Sequence, residues 1–231
     1  MRIAKYIANA GYCSRREAEK LIYKKKVFVN NKICEAPYIN VTEKDCITIS
    51  GKKIKLEKKI SLWKLYKPTN IICTNKDPKK RKTIFDILPK NLPRLITIGR
   101  LDYMSEGLIL LTNNGDFARK LELPSSNIQR VYRVCVNTNI TPDQLSNINS
   151  GVKIDGILYK KVEVKIEKIK KTHVLLKFKL REGKNREIRR ICKHFKWPIS
   201  KLIRLQYGSI KLTKEKPGQI KKLNQIPKDF L

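Results

Sequence analysis

Acidic residues are scarce in this sequence, whereas basic residues are abundant. The 231 residues include 20 Asp and Glu but 53 Lys and Arg, which gives a formal net charge of +33 at pH 7. A charge of this size repels itself, so a polyanionic partner is expected. Nucleic acid is the leading candidate, and an anionic membrane surface is the second.

Long apolar runs and metal-ligand clusters are also missing. No stretch of about 18 apolar residues occurs, and the first residues contain no apolar segment typical of a secretory signal. The six cysteines form no Cys-x-x-Cys pair, so the sequence predicts no structural zinc site. Their long, irregular spacings indicate reduced, buried thiols in a cytosolic protein. Because His173 and His194 are the only histidines, and both are far from an obvious nucleophile, a Ser-His-Asp hydrolase has no support.

The N-terminal part of the chain is predicted to form a small module over residues 1–59. Apolar residues on one face predict a first helix, which Gly11 can end. The capping-box pattern Ser14-Arg15-Arg16-Glu17 predicts the start of a second helix. Short strands are predicted at residues 27–29, 32–34 and 46–49, and a charged connection is predicted at residues 52–60.

Basic residues cluster on and after the second predicted helix. Few acidic residues surround them, so we expect these side chains to contact a ligand. A merely solvated helix face is the alternative interpretation. The residues in question are Arg15, Arg16, Lys24, Lys25 and Lys26.

Residues 60–231 are predicted to form a second domain of the α+β class with a mixed, largely antiparallel sheet. Strands joined by short turns, with scattered helices, are typical of this class. Helix starts are predicted at Asp116, at Thr141-Pro142 and at Asn185. Strands are predicted at residues 62–66, 130–136, 162–166 and 174–180.

One carboxylate stands out in this basic chain. Asp102 ends a Gly-Arg-Leu-Asp corner that follows an apolar strand at Leu95–Ile98 and precedes another at Leu108–Leu111. A carboxylate between two buried strands is held rigidly, as a reacting group requires. The alternative is that Asp102 only shapes a turn, and the motif alone does not decide between the two.

A second segment, Glu182–Arg190, places four basic residues around a predicted helix start. A helix N-terminus favours phosphate, and Arg186 and Arg189 are predicted to share one helix face because they are three residues apart. General affinity for an RNA backbone, without a part in chemistry, is the alternative for this segment. Its basic members are Lys184, Arg186, Arg189 and Arg190.

The N-terminal module contains the pattern Ala-Gly-x-x-Ser-Arg-Arg-x-Ala at residues 10–18. With this pattern it resembles the RNA-binding αL motif of a small-subunit ribosomal protein, which consists of two helices and a small β unit. The resemblance covers residues 2–50. It implies binding to structured RNA, with Arg15 and Arg16 as phosphate contacts.

Motifs of the second domain, taken together, resemble the RsuA-type pseudouridine synthases, and with the module this resemblance covers nearly the whole chain. One departure is Lys67-Pro68-Thr69-Asn70, because the family usually has Gly where this chain has Asn70. Asn tolerates a left-handed backbone better than most residues, so the turn can be kept. The matching motifs are Gly99–Asp102, Gly107–Asn113, Tyr132–Val134 and Glu182–Arg190, and Leu202-Ile203-Arg204 and Tyr207-Gly208 match a late strand of the family.

The resemblance implies isomerisation of uridine to pseudouridine in RNA, with no cofactor and no metal. It assigns Asp102 as the carboxylate acting on the ribose or the base, Tyr132 as the active-site tyrosine, and Arg189 as the partner of the carboxylate. Leu180 is assigned as an apolar pocket wall, and Arg100 as the side chain that holds the opened RNA. The base has to leave its helix to be reached.

Ribosomal RNA, free or within a pre-ribosomal subunit, is the expected partner, and the sequence of residues 184–190 favours large-subunit (23S) rRNA. We further expect a cytoplasmic monomer without membrane contact. A non-catalytic RNA-binding or ribosome-assembly factor would explain the charge, but not the motifs around Asp102. A methyltransferase with the same N-terminal module would need a Gly-x-Gly-x-x-Gly loop, which the sequence lacks.

Overall fold

The computed structural model describes residues 1–57, 59–159 and 162–231. Two main sheets contain most of the described strands, a four-stranded sheet in the N-terminal part and a nine-stranded sheet in the rest. Lys58, which belongs to the predicted charged connection, lies outside the described residues.

The N-terminal module has the predicted order of two helices followed by strands. The capping box at the start of the second helix is confirmed, because the Ser14 hydroxyl accepts from the backbone N–H of Glu17 while the Glu17 carboxylate accepts from that of Ser14. The strand order is β2-β1-β3-β4. The elements are α1 (Ile3–Asn9), α2 (Arg15–Tyr23), β1 (Val27–Val29), β2 (Lys32–Ile33), β3 (Ile47–Ile49) and β4 (Lys52–Ile54).

The prediction of a charged connection over residues 52–60 is wrong at its start. Lys52–Ile54 forms strand β4, which pairs antiparallel with β3, and Leu56 packs against the apolar core of the module. The alternation of lysines with Ile54 and Leu56 is therefore a sheet-edge pattern, in which one face is buried and the other is solvated.

The remainder of the described chain contains eleven strands and three α-helices. Nine of the strands form the large sheet, whereas β9 and β10 form a separate antiparallel hairpin. In chain order the elements are β5 (Leu62–Lys67), β6 (Ile96–Ile98), β7 (Glu106–Thr112), α3 (Gly115–Glu122), β8 (Arg130–Val136), α4 (Pro142–Ser150), β9 (Val152–Ile154), β10 (Ile157–Tyr159), β11 (Glu163–Ile169), β12 (Val174–Leu180), α5 (Glu187–His194), β13 (Ile199–Tyr207), β14 (Ile210–Lys211) and β15 (Ile220–Lys222).

The large sheet is mixed and largely antiparallel, as predicted. Its strand order is β11-β12-β8-β13-β7-β5-β15, with β6 paired to β7 and β14 paired to β13. Among its described strands only β7 and β13 run parallel. Strand β13 comes late in the chain but lies in the middle of the sheet, so it joins the half built around β8 to the half built around β7.

Two predicted helix starts are wrong, while the one at Thr141-Pro142 is confirmed by a capping box. Helix α3 is capped by Asn114, whose side chain accepts from the backbone N–H of Phe117, and Asp116 lies inside the first turn. Helix α5 has no side-chain cap. Its N-cap residue is Arg186, not Asn185, and the backbone of Arg186 is left-handed with φ of 53°.

Helix α5 is fixed to the sheet by its apolar stripe. Ile188, Ile191 and Cys192 are buried in the same cluster as Val134 of β8 and Leu176 of β12. Because these residues fill one face of the helix, the remaining faces carry its arginines towards the ends of the sheet strands. This packing sets the position from which Arg189 reaches the loop before β7.

All six cysteines are free, as predicted. The prediction that they are buried is correct for Cys34, Cys73 and Cys192 only, because the other three are half-buried. Of the latter, Cys46 directly precedes β3 and Cys135 lies within β8.

The module contacts the second domain through charged side chains. Lys5 of α1 forms an ion pair of 2.7 Å with Asp116 at the start of α3, and Arg15 lies 3.7 Å from the same carboxylate. In a further contact of opposite polarity, the carboxylate of Glu17 on α2 lies 3.6 Å from the ammonium of Lys76 in the second domain. All of these side chains are accessible to solvent, so the contacts orient the module more than they stabilise it.

The parallel contact between β7 and β13 requires glycine at position 107. Gly107 has φ of 104°, and a Cβ atom there would lie 2.7 Å from the backbone nitrogen of Arg204 and closer still to its carbonyl oxygen. Neither backbone atom can move without breaking the ladder between the two halves of the sheet.

We expect Gly107→Ala to lower the free energy of unfolding by about 1–3 kcal/mol more than Gly218→Ala, which is the typical cost of overpacking. Gly218 also has a left-handed backbone, but no atom lies within 4 Å of the place that a Cβ would occupy. Its substitution therefore adds only backbone strain of about 1–2 kcal/mol, whereas the substitution at 107 adds overpacking against a backbone. Urea unfolding of both variants measures the difference. Equal destabilisation would show that the strands separate freely at this point.

Candidate active site

The loop between β6 and β7 presents Asp102, and its backbone is fixed at four successive carbonyls. The carbonyl of Asp102 accepts from the N–H of Ser105 at 3.0 Å, and that of Tyr103 accepts from the N–H of Asn70 at 2.9 Å. The carbonyl of Met104 accepts from Arg189 at 3.0 Å, and that of Ser105 accepts from Lys67 at 2.8 Å. A loop bonded in this way holds the Asp102 side chain in one place.

Lys67, at the end of β5, is fully buried beneath this loop. Its ammonium donates to the carbonyls of Asp102 at 3.2 Å and Pro68 at 2.9 Å, in addition to that of Ser105. Burial lowers the pKa of Lys67 to about 8, and the three carbonyl acceptors favour the charged form at neutral pH. Sequence reasoning did not give Lys67 a role, because a lysine beside a proline gives no local sign of burial.

The turn that follows Lys67 keeps the geometry that a glycine would give. Asn70 has φ of 61°, in the left-handed region, which confirms that Asn can replace the usual Gly of this motif. The N–H of Asn70 then points to the Tyr103 carbonyl, so the turn is part of the support of the Asp102 loop.

Two arginines from the start of α5 meet the Asp102 carboxylate. The Arg189 Nε and the Arg186 Nη1 each lie 3.4 Å from Oδ2 of Asp102. Burial lowers the pKa of Arg189, and the neighbouring Asp102 charge opposes this. Arg186 is the N-cap residue and has a left-handed backbone, so the two arginines do not share a helix face as predicted; they converge on the carboxylate from the N-cap and the first turn.

The Asp102 carboxylate lies in the wall of a cleft of about 1250 Å³. This volume is sufficient for a nucleotide and its flanking phosphates. The cleft brings together most of the side chains that the sequence singled out in the second domain. Those that line it are Arg100, Asp102, Tyr132, Leu180, Lys184, Arg186 and Arg189.

Other predicted residues lie elsewhere or are already engaged. Arg190 is half-buried and does not line the cleft, and the basic residues of the module lie on α2 and just after it. Lys184 does line the cleft, but its ammonium forms an ion pair with Glu182 at 2.7 Å and donates to the Leu158 carbonyl at 2.6 Å. Lys184 therefore contributes to the shape of the cleft as well as to its charge.

Comparison with known proteins agrees with this geometry. The family model described as RNA pseudouridylate synthase matches residues 61–194, and the S4 domain model matches residues 1–47. An RNA pseudouridine synthase of Rickettsia typhi is 46% identical, over 100% of this chain and 95% of that protein. This chain belongs to the RNA pseudouridine synthase family. The predicted boundary at residues 59 and 60 falls between the two matches and stays a prediction.

More distant relatives also match this pseudouridine synthase over nearly its whole length. The ribosomal large subunit pseudouridine synthase B of Bacillus subtilis is 35% identical, over 96% of this chain and 91% of that protein. A crystal structure of a pseudouridylate synthase superposes with a TM-score of 0.69 at 21% identity, covering 97% of this chain and 96% of that one. The structural likeness supports the fold.

The inner wall of the synthase cleft holds two buried arginines that sequence reasoning missed. Arg130 and Arg204 flank the ring of Tyr207, at 4.8 and 5.4 Å from its centroid. Arg130 donates to Tyr207 and to two backbone carbonyls, and Arg204 donates to the Leu108 carbonyl. Neither has a carboxylate partner within 4 Å among the described residues. The signal for Arg204 was its place in the Leu202-Ile203-Arg204 motif, to which no role was attached.

Tyr132 lies at the centre of the cleft wall. On the large sheet it is opposite Phe178 of β12 on one side and Arg204 of β13 on the other. Tyr132 is half-buried and packs against the apolar clusters on both sides. Its ring is therefore held in place while one side remains available to a ligand in the cleft.

The described residues offer no group of three or more His, Cys, Asp or Glu side chains that could hold a metal ion. Within the same part of the chain, no helix is long and apolar enough to cross a membrane. The cleft does offer the Asp102 carboxylate on a fixed loop, aromatic rings and several guanidinium groups. This combination suits an anionic, aromatic substrate such as a nucleotide.

Proposed function

We propose that this synthase isomerises a specific uridine of ribosomal RNA to pseudouridine, with large-subunit rRNA favoured. The observation that carries the proposal is the Asp102 carboxylate, fixed by its loop and paired with Arg189 in the wall of a nucleotide-sized cleft. The name of the Bacillus subtilis relative supports the large subunit. The protein would act as a monomer in the cytoplasm, on rRNA or a pre-ribosomal subunit.

Asp102 is proposed as the catalytic carboxylate. The reaction breaks the bond between N1 of uracil and C1′ of ribose, turns the base, and joins C5 to C1′. An ionised carboxylate acts on the ribose or the base during this exchange. It has to be held within about 0.5 Å of its productive position, and the bonded carbonyls of residues 102–105 provide that restraint.

Arg189 and Tyr132 are proposed to complete the catalytic site. Arg189 lies in the cleft with a largely buried side chain, so its charge acts on Asp102 with little screening. It also donates to the Met104 carbonyl, so the same side chain restrains the loop and pairs with its carboxylate. Tyr132 is proposed to stack on uracil, and its hydroxyl to serve in proton transfer.

The remaining site residues are proposed to receive the RNA. The target base has to leave its helix to enter the cleft. Arg100, exposed beside Asp102, would hold the opened RNA, while Leu180 forms an apolar wall for the base. Lys184, Arg186 and Arg190, together with Arg15, Arg16, Lys24, Lys25 and Lys26 of the module, are proposed as contacts to the RNA backbone.

Asp102→Asn is expected to abolish pseudouridine formation while leaving the fold and RNA binding intact. The amide has nearly the same shape as the carboxylate, but it cannot act as an ionised group. Chemical mapping of pseudouridine in rRNA measures turnover, and filter binding measures affinity. Substantial turnover by the folded variant would exclude Asp102 as the catalytic group. An absence of turnover in the wild type as well would favour an RNA-binding or assembly factor.

Arg189→Ala is expected to reduce turnover by roughly tenfold or more, because a charged partner contributes about 1.5–3 kcal/mol. Turnover should fall more than rRNA affinity, because Arg189 both pairs with the Asp102 carboxylate and donates to the Met104 carbonyl of the same loop. Arg190→Ala is the matched control, because Arg190 is the next residue of α5 and lies outside the cleft. Equal losses of turnover and of rRNA affinity in both variants would show that Arg189 is only a phosphate contact.

Replacing Lys24, Lys25 and Lys26 by Gln is expected to flatten the salt dependence of rRNA binding. The slope of log K against log salt falls by about 0.7–0.9 for each phosphate that the protein no longer neutralises. All three lysines are exposed. The matched control replaces the exposed Lys168, Lys170 and Lys171, which changes the net charge equally at the far edge of the large sheet. If both triple variants have the same slope, the module lysines act only through net charge.

A further inference from the structure

Two large apolar side chains are exposed directly beside the Asp102 carboxylate. Tyr103 is 39% exposed and Met104 is 57% exposed. Tyr103 also lines the cleft. Isolated exposed apolar residues are common, but here two directly follow Asp102 in the chain, and one of them lines the candidate active site.

These side chains cannot withdraw from solvent by a simple movement of the loop. The carbonyl of Tyr103 is bonded to the Asn70 N–H, that of Met104 to Arg189, and those of the residues on either side to Lys67. A loop with four bonded carbonyls has little freedom, so it presents Tyr103 and Met104 at a fixed position relative to Asp102. A preorganised apolar surface of this kind is typical of a binding site.

Basic residues accompany Tyr103 at the cleft and on a neighbouring segment. Arg100 is exposed and lines the cleft together with Tyr103, and the exposed Arg81, which forms a 2.9 Å ion pair with Asp77, lies within electrostatic range of Tyr103. Arg81 belongs to the segment Lys79-Lys80-Arg81-Lys82, in which all four side chains are exposed. An aromatic ring among basic groups is the arrangement with which proteins bind single-stranded RNA, because bases stack on the ring while phosphates contact the cations.

We propose that Tyr103, supported by Met104, is a stacking subsite for an unpaired RNA base next to the target uridine. The proposal rests on the proposed role of Asp102, since that residue defines where the target uridine lies. When the target base leaves its helix, the neighbouring base loses a stacking partner. The Tyr103 ring replaces that partner and keeps the RNA open while the uridine occupies the cleft.

The first test is Tyr103→Trp, which keeps a stacking ring and makes it fluorescent. Trp63 and Trp197 are almost fully buried, so the new indole reports on the exposed loop. We expect oligouridylate to quench the new emission, because a base stacks on the indole, and inorganic polyphosphate, which has no bases, to leave it unchanged. The measurement does not depend on turnover, so it is informative even if Asp102 proves not to be catalytic.

The matched control is Ile169→Trp on strand β11. Ile169 is 68% exposed and lies between Lys168 and Lys170. A Trp at this position is therefore close to basic groups that attract RNA, but it is not part of the proposed stacking subsite. We expect oligouridylate to quench Trp at position 103 strongly and Trp at position 169 weakly. Equal quenching at both positions, or equal quenching by oligouridylate and polyphosphate at position 103, would overturn the proposal.

The second test compares Tyr103→Phe with Tyr103→Ser in oligouridylate binding. Loss of one base–aromatic stack is expected to weaken binding by about 5- to 150-fold in the Ser variant. The Phe variant should bind within about twofold of the wild type, because stacking needs the ring and not the hydroxyl. With rRNA as substrate, the Ser variant should raise KM more than it lowers kcat. If the Ser variant binds oligouridylate as tightly as the wild type does, the proposed stacking subsite is wrong. The exposed Tyr103 and Met104 would then favour a contact with a protein partner.

Discussion

The buried ammonium of Lys67 is the interaction on which the candidate site depends. It lies at the end of β5 without solvent contact and donates to the carbonyls of Pro68, Asp102 and Ser105. A buried charge is costly unless it is fully bonded, and here the bonds it needs come from the loop that carries Asp102 and from the adjacent turn. The same three contacts therefore satisfy the lysine and fix the position of the carboxylate.

The large sheet brings distant segments of the chain to this loop. Because β13 pairs with β8 on one side and with β7 on the other, Arg204 is adjacent to both Tyr132 and Gly107. The absence of a side chain at Gly107 allows the two strands to approach. Helix α5, held by Ile188 and Ile191, then places Arg189 against the Asp102 loop.

Electrostatics act at two ranges in this pseudouridine synthase. At long range, a net charge of +33 attracts RNA to the whole molecule. At short range, the few carboxylates are used for defined contacts, such as the Glu17 capping box, the Asp116 pair with the module and the Asp102 pair with Arg189. The scarcity of acidic residues is thus consistent with an RNA-binding surface in which these acids have local structural or chemical tasks.

The sequence alone determined what depends on neighbouring residues: the capping boxes at Ser14 and Thr141, the strands at residues 130–136 and 174–180, and the corner at Asp102. It misplaced the starts of α3 and α5, because Asn114 competes with Asp116 as a cap and Arg186 adopts a left-handed backbone that no local pattern indicates. Only the tertiary structure decided that Lys67 and Arg204 belong to the same cleft region as Asp102. Their proximity depends on strand order and burial, which pairings between residues far apart in the chain create.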